Sequence, residues 1–223
     1  MKSPVKTTSK TRAKKRAYDA SSRREAAETT RRAILDSATK MFCEKGYAGA
    51  SMQAIAQEAG IALDTVYAAV GKKPALFALL VEAAISGADV AIPAEERDYV
   101  QAIRAVPTAS GKLAIYASAL RSIQERLAPL FHVLQQAATA DEGLAQLWKG
   151  IAERRAKNML LLAKELAATG QLRRDLNIET VADVLWTMNS PEYYLLLVEG
   201  RGWDPAKFED WLKDAWSRLL LEQ

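Results

Sequence analysis

The segment from Ser51 to Lys73 reads SMQAIAQEAGIALDTVYAAVGKK, and its residue types bear on base recognition. A side chain in the DNA major groove discriminates bases through Arg or Lys to guanine, Asn or Gln to adenine, a carboxylate to cytosine N4, or an apolar contact with the thymine methyl. From Ala62 to Val70 there is no Lys, Arg, Asn or Gln. That leaves the Asp64 carboxylate and methyl contacts, with Gln53 on the preceding segment able to supply the missing amide.

Those residues need elements to hold them. Met52, Ile55, Ala56 and Ala59 fall at i, i+3, i+4 and i+7, one face of a helix that Ser51 can cap. Gly60 suits a tight turn needing positive φ, Ile61 plugs the angle, and Val66, Tyr67 and Val70 resume the helical pattern. The spacing is that of a helix-turn-helix. Ahead of it, a helix beginning near Arg24 or Glu25 buries Ile34, Leu35, Ala38, Met41 and Phe42 and stops at Gly46. After it, a fourth helix starts around Pro74 and buries Leu76, Phe77, Leu80, Val81 and Ala84.

Charge is distributed unevenly. Residues 1–32 hold 11 Lys or Arg against 3 Asp or Glu, whereas the rest holds 20 against 24. The tail KSPVKTTSKTRAKKRAYDASSRR lacks apolar periodicity, so residues 1–23 are expected to form a disordered basic arm. Beside a helix-turn-helix such an arm reads as phosphate-binding, with a solubilising extension as the alternative. Hydrophobic residues make up 49% of the 223, enough for a sizeable core, and period-two β-branched runs are absent. The expected fold class is all-α: an N-terminal three-helix DNA-binding domain over residues 24–72 and a helical ligand-binding and dimerisation domain over 73–223. No apolar run approaches the roughly 20 residues that span a bilayer, and no signal-peptide core follows the basic start. A soluble cytoplasmic protein without membrane association is expected.

The run RRAILDSATKMFCEKGYAGASMQAIAQEAGIALDTVYAAVGKKPALFALL resembles the DNA-binding domain of the TetR family of bacterial transcriptional regulators. The features that carry the resemblance are Phe42 with Gly46-Tyr47, Ile55-Ala56, Ala59-Gly60, Thr65-Val66-Tyr67, and Lys73 before an apolar helix. The resemblance implies an all-helical homodimer whose C-terminal domain binds an effector and resets the separation of the two heads. It implies that Leu63, Asp64, Thr65 and Ala69 face the groove, with Asp64 accepting from cytosine and the others touching methyl groups. It implies further that Tyr67 contacts the backbone and that Lys73, with Lys72 beside it, meets phosphate. The chain departs from the family pattern where Ala62 replaces a Ser or Thr cap and where Ala68, Ala69 and Val70 replace polar, His and aromatic residues. Losing a cap costs about 1 kcal/mol. Affinity is therefore expected to lean on Lys14, Lys15, Arg16, Arg23, Arg24, Arg31 and Arg32, which would reach phosphates and the adjacent minor groove.

The remaining sequence reads as six or so helices, with Pro129 breaking or kinking one near Leu127, Gly170 ending another, and Ser190-Pro191 and Asp204-Pro205 as N-cap and N1 pairs. Phe208, Trp211, Leu212, Ala215, Trp216, Leu219 and Leu220 form a stripe on the last helix, the candidate dimer interface. Val181, Leu185 and Met188 on an earlier helix would pair with it, and a core within one chain is the alternative for the same stripe. The effector is an unidentified small molecule. Tyr116, Phe131, His132, Trp148, Met159, Trp186, Asn189, Tyr193 and Tyr194 are its candidate pocket, apolar bulk with isolated polar tips; simple core packing is the alternative for each aromatic or Met.

One His and one Cys cannot build a zinc site, and no Gly-rich phosphate loop or Ser/His/Asp set is present, so neither a metal, a cofactor nor catalysis is expected. Cys43 reads as a packed or semi-exposed thiol. The expected function is a ligand-responsive regulator, a repressor binding a pseudo-palindromic operator in double-stranded DNA. Two alternatives stay open: a sequence-tolerant DNA-packaging protein, and an enzyme or ligand carrier with a vestigial head.

Overall fold

The computed structural model describes residues 9–222, with side chains from Arg24 onward. Residues 1–8, and the side chains of Lys14, Lys15, Arg16 and Arg23, lie outside the described set. Within it the chain forms ten α-helices, one 3-10 turn and an isolated bridge between Leu172 and Leu221.

Helix α1 spans Ser9–Gly49 and leaves helical geometry at Gly46 (φ 69°), where the sequence places its stop. Its start lies ahead of the expected Arg24 or Glu25. Lys, Arg and Ala are good helix formers and no Gly or Pro intervenes before Gly46, so nothing local ends the helix at residue 24. Helix α2 (Met52–Ala59) is capped by Ser51, whose hydroxyl accepts from Ala54 N at 3.1 Å. Gly60 is left-handed (φ 67°, ψ 28°), and Ile61 N donates to Ala56 O at 3.0 Å, so the turn closes as a Schellman motif. Helix α3 (Leu63–Val70) follows without a side-chain cap at Ala62, as its sequence implies. Helix α4 (Lys73–Ser86) carries Pro74 in its first turn.

One hydrophobic cluster holds these helices together. Phe42 meets Phe77 edge-on at 5.0 Å, and Tyr47 meets Phe77 at 5.4 Å. Burying such side chains contributes about 1.5–3 kcal/mol each, enough to fix helices as short as α2 and α3, which are too short to be stable alone. The cluster does not stop at residue 73. It continues through Ile123, Leu127, Leu130, Phe131 and Leu134 into Leu144 and Ile151.

The larger part of the chain comprises a 3-10 turn at Ala94–Glu96, α5 (Asp98–Ala105), α6 (Ala109–Ala137), α7 (Glu142–Ala167), α8 (Ile178–Met188), α9 (Pro191–Leu197) and α10 (Pro205–Leu220). Helix α6 runs through Pro129 as one helix, so of the expected break or kink the break does not occur. An interior proline costs about 3 kcal/mol; Leu127, Leu130, Phe131 and Leu134 are all buried on the same stretch, which outweighs it. Ser190 and Asp204 cap α9 and α10 as expected, accepting from Tyr193 N and Ala206 N.

The stripe assigned to a partner faces this chain's own core instead. Val181, Leu185, Met188, Phe208, Leu212, Ala215 and Trp216 are buried in a second cluster with Leu113, Leu120 and Leu166. A terminal helix packed on α6 gives the same periodicity as one packed on a second chain. Only Trp211 (41% exposed) and Leu219 (45%) of that set remain on the surface.

Candidate DNA-reading face and ligand cleft

The turn at Gly60 projects α3 with Asp64, Thr65, Tyr67 and Ala68 exposed. Val66 and Val70 anchor its opposite side. Leu63 and Ala69, expected at the groove, are half-buried against the core cluster, because positions 63, 66 and 70 share a face and 69 borders it. Gln53 is exposed on α2, and Lys72 is exposed at the start of α4. Lys73 is half-buried, its Nζ 4.4 Å from the centre of the Tyr47 ring, and burial lowers its pKa. A helix N-terminus with two lysines is electropositive and suits phosphate.

Among the described side chains of α1, Lys40 pairs with Glu58 of α2 at 2.6 Å, but the cations expected to bind phosphate lie elsewhere. Arg31 Nε donates to Asp89 O at 3.2 Å, and Arg32 pairs with the Asp89 carboxylate at 2.9 Å. Phe42 on α1 meets Phe77 near the start of α4, whereas Arg31 and Arg32 meet the turn after its end. The two helices are therefore antiparallel, and the N-terminal direction of α1 leads away from Lys73. Arg24 pairs with Glu28 at 3.1 Å on the exposed helix surface.

A second feature is a cleft of about 440 Å³ between the end of α4, the 3-10 turn, α6 and α7. Ile85, Ile92, Leu120, Ile123, Leu127 and Ile151 form its apolar walls. A smaller cavity of about 210 Å³ adjoins it across Tyr99, Tyr116, Asn158 and Met159, which line both.

The floor is a hydrogen-bonded chain. Gln124, 1% exposed, donates from Nε2 to Asn189 O at 2.7 Å, which fixes the orientation of its amide since a carbonyl can only accept. Arg155 donates from Nε and Nη2 to Asn189 Oδ1 at 3.1 and 2.9 Å, so Asn189 Nδ2 must be the atom facing Tyr116, and it donates to that hydroxyl at 2.7 Å. Asn189 owes its position to the end of α8, where its φ of −88° and ψ of 3° turn the chain. Arg155 also donates to Trp186 O at 2.7 Å and lies 5.0 Å from the centre of the Trp186 ring. Burial lowers the Arg155 pKa, and burial raises that of Tyr116 well above the ordinary phenol value.

Of the nine residues expected to form a pocket, Tyr116, Met159 and Asn189 line this cleft. Phe131 sits in the core shared with α1 and α4, with Trp148 edge-on to it at 5.8 Å. His132 is exposed and bonded to Gln136. Trp186 reaches the cleft only through Arg155. Tyr193 accepts from Trp211 Nε1 at 2.7 Å, and Tyr194 packs on Phe208. Gln124, Arg97 and Arg155 were not legible as cleft residues, because a long polar side chain on a helix reads as solvated until its neighbours are known. Cys43 is exposed on α1, yet desolvation, then Glu199 and Glu44, raise its thiol pKa. Among the described residues no group of three or more metal-ligating side chains occurs, and no helix is long and apolar enough to cross a membrane.

Residues 34–80 match the family model described as bacterial regulatory proteins, tetR family. No curated protein matches the sequence. Among solved structures, the transcriptional regulator FadR from Bacillus subtilis, in complex with stearoyl-CoA, superposes with a TM-score of 0.66 at 19% identity, covering 82% of this chain and 96% of that one. NalD, the secondary repressor of the MexAB-OprM multidrug efflux pump in Pseudomonas aeruginosa, gives a TM-score of 0.66 at 20% identity, covering 88% and 99%. A protein from Saccharomonospora viridis in complex with choline gives 0.64 at 17% identity, covering 86% and 98%.

Proposed function

We propose, for a chain whose residues 34–80 belong to the tetR family of bacterial regulatory proteins, a DNA-binding transcriptional regulator that responds to a small molecule held in the cleft. The observation that carries this reading is the joining of a DNA-reading unit and a ligand-sized cleft through one helix: α4 begins with Lys72 and Lys73 beside α3 and ends with Glu82 and Ile85 in the cleft wall. A cleft of 300–1,000 Å³ with apolar walls and a few fixed polar groups is the usual form of a small-molecule site. Proteins of this fold hold ligands as unlike as stearoyl-CoA and choline, so the effector must be argued from this chain's own residues.

Base discrimination in this proposal rests on Asp64 and Thr65 with help from Gln53, and affinity on Tyr67, Lys72, Lys73 and the basic N-terminal segment. Leu63 and Ala69 act mainly by seating α3. The working form is a homodimer on a pseudo-palindrome with half-sites about one helical turn, roughly 34 Å, apart. Its contact would use the outer face of α10, where Trp211 and Leu219 are exposed. Repression relieved by the ligand is the proposed direction of control.

Selection of the full-length protein against a random-sequence duplex pool, followed by sequencing, tests the reading. A recurring two-fold motif supports it. Enrichment without sequence preference would instead identify a DNA-packaging protein, and no enrichment a ligand carrier or enzyme.

A further inference from the structure

We infer that the cleft takes an amphipathic organic anion, its charged group on Arg155 and Arg97 and its apolar body along the isoleucine-rich wall. This rests on the reading of the cleft as the effector site and names the ligand class that reading leaves open.

Charge balance carries the assignment. Arg97, Arg154, Arg155 and Lys157 line the cleft, against a single lining carboxylate on the larger chamber, Glu82. Glu82 is already paired with Arg154. Among the described residues, Arg97, Arg155 and Lys157 have no carboxylate within ion-pair distance; Arg97 donates only to Ile92 O, at 3.1 and 3.0 Å, and Arg155 only to neutral oxygens. Glu192 influences Arg155 electrostatically without forming a pair. A partly buried guanidinium hydrogen-bonded by amide and carbonyl oxygens alone, with only the longer-range field of Glu192 opposing it, has a charge that is incompletely compensated and that an incoming anion would neutralise.

Two further groups fit the same ligand. The Tyr116 hydroxyl accepts from Asn189 and keeps its own proton to donate. The Gln124 Oε1 atom is buried without a hydrogen-bond partner among the described residues, and as an acceptor it suits a hydroxyl or N–H on the ligand's body, not its charged group. A cationic ligand would meet three unpaired positive charges and one carboxylate already engaged, which disfavours it. A neutral apolar ligand would fill the walls and leave the guanidinium charge unmet.

The test compares two fluorescent probes of one skeleton, 1-anilinonaphthalene-8-sulfonate, which is an anion, and N-phenyl-1-naphthylamine, its neutral counterpart without the sulfonate. Each is titrated into the full-length protein. The expected result is one site per chain, with the sulfonate bound at least tenfold more tightly. Arg155→Gln should remove most of that preference. Arg155 also braces Asn189, so Arg97→Gln and Lys157→Gln, each checked by circular dichroism, provide the same test without touching the Asn189 network. Equal affinity for the two probes, or a preference that survives all three substitutions, overturns the assignment. DNA selection by the same preparation separates the two readings. Sequence-selective DNA binding without an anion preference sinks the anion assignment alone, whereas an anion preference without DNA binding supports it and sinks the regulator reading.

Discussion

Glu82 on α4 and Arg154 on α7 form an ion pair at the rim of the cleft, bridging the helix that follows the helix-turn-helix and a helix of the C-terminal part of the chain. Arg126 adds a second tie, donating from Nε to Ala84 O at 3.0 Å. If the proposed anion on Arg155 and Arg97 also reaches Arg154, it would compete with Glu82 for it, and occupancy of the cleft would then be linked to the placement of α4. The side chains are 23% and 55% exposed, and exposed pairs contribute about 0–1 kcal/mol. Glu82→Gln should therefore leave the fold intact and change the ligand's effect on DNA affinity by at most about fivefold. Measuring DNA affinity with and without the anionic probe checks this, and an unchanged ratio removes the pair from the coupling route.

Gly60 is held in the left-handed region with open space where a Cβ would sit, so the cost of a side chain there is backbone strain alone. Gly60→Ala should destabilise the protein by about 1–2 kcal/mol. For a chain of this size each kcal/mol corresponds to a fall of roughly 2–4 °C in Tm. A scanning calorimetry trace coincident with the parent's would show that the turn does not need its glycine.

Asp64 is exposed on α3 and brings a negative charge to a surface meant for phosphates. Unless it meets a cytosine amine it only repels. Asp64→Ala should lower the preference at one base pair by about 1–3 kcal/mol while raising affinity for unrelated DNA. Uniform strengthening at every sequence, with no change in preference, would show that Asp64 reads nothing.

The basic N-terminal segment gives a separate salt test. Deleting residues 1–22 should weaken DNA binding across all sequences and flatten the dependence of log affinity on log salt by about 0.9 per lost phosphate contact. Since Arg31 and Arg32 are held at Asp89 and α1 runs away from Lys73, an unchanged slope would mean that the segment does not reach the DNA bound by α3.

The helix-turn-helix was legible in the sequence because its signals are local. Ser51 caps within three residues, Gly60 turns within one, and the periodicity of Ile55, Val66 and Phe77 marks faces that do become core. The cleft was legible only in part. Tyr116 and Met159 stand out by type, but Gln124, Arg97 and Arg155 acquire meaning only when Asn189 arrives from the end of α8 and Ile92 from the segment after α4. The stripe of Phe208, Leu212 and Trp216 shows the limit of periodicity, which reports that a face is buried and not by which chain. Leu63 and Ala69 are half-buried for a related reason: position 63 shares the packed face with Val66 and Val70, and 69 borders it, which the short α3 pattern does not separate from its exposed positions.

Whether α3 reads sequence is the central question. Its most direct measurement is the ratio of dissociation constants for the duplex enriched from a random pool and for a scrambled duplex of equal length, taken at physiological salt with the full-length protein. The predicted ratio is about 10³ or more, falling toward one when Asp64 and Thr65 are both replaced by alanine. A ratio near one for the parent protein, with a strong salt dependence on both duplexes, would contradict sequence reading by α3.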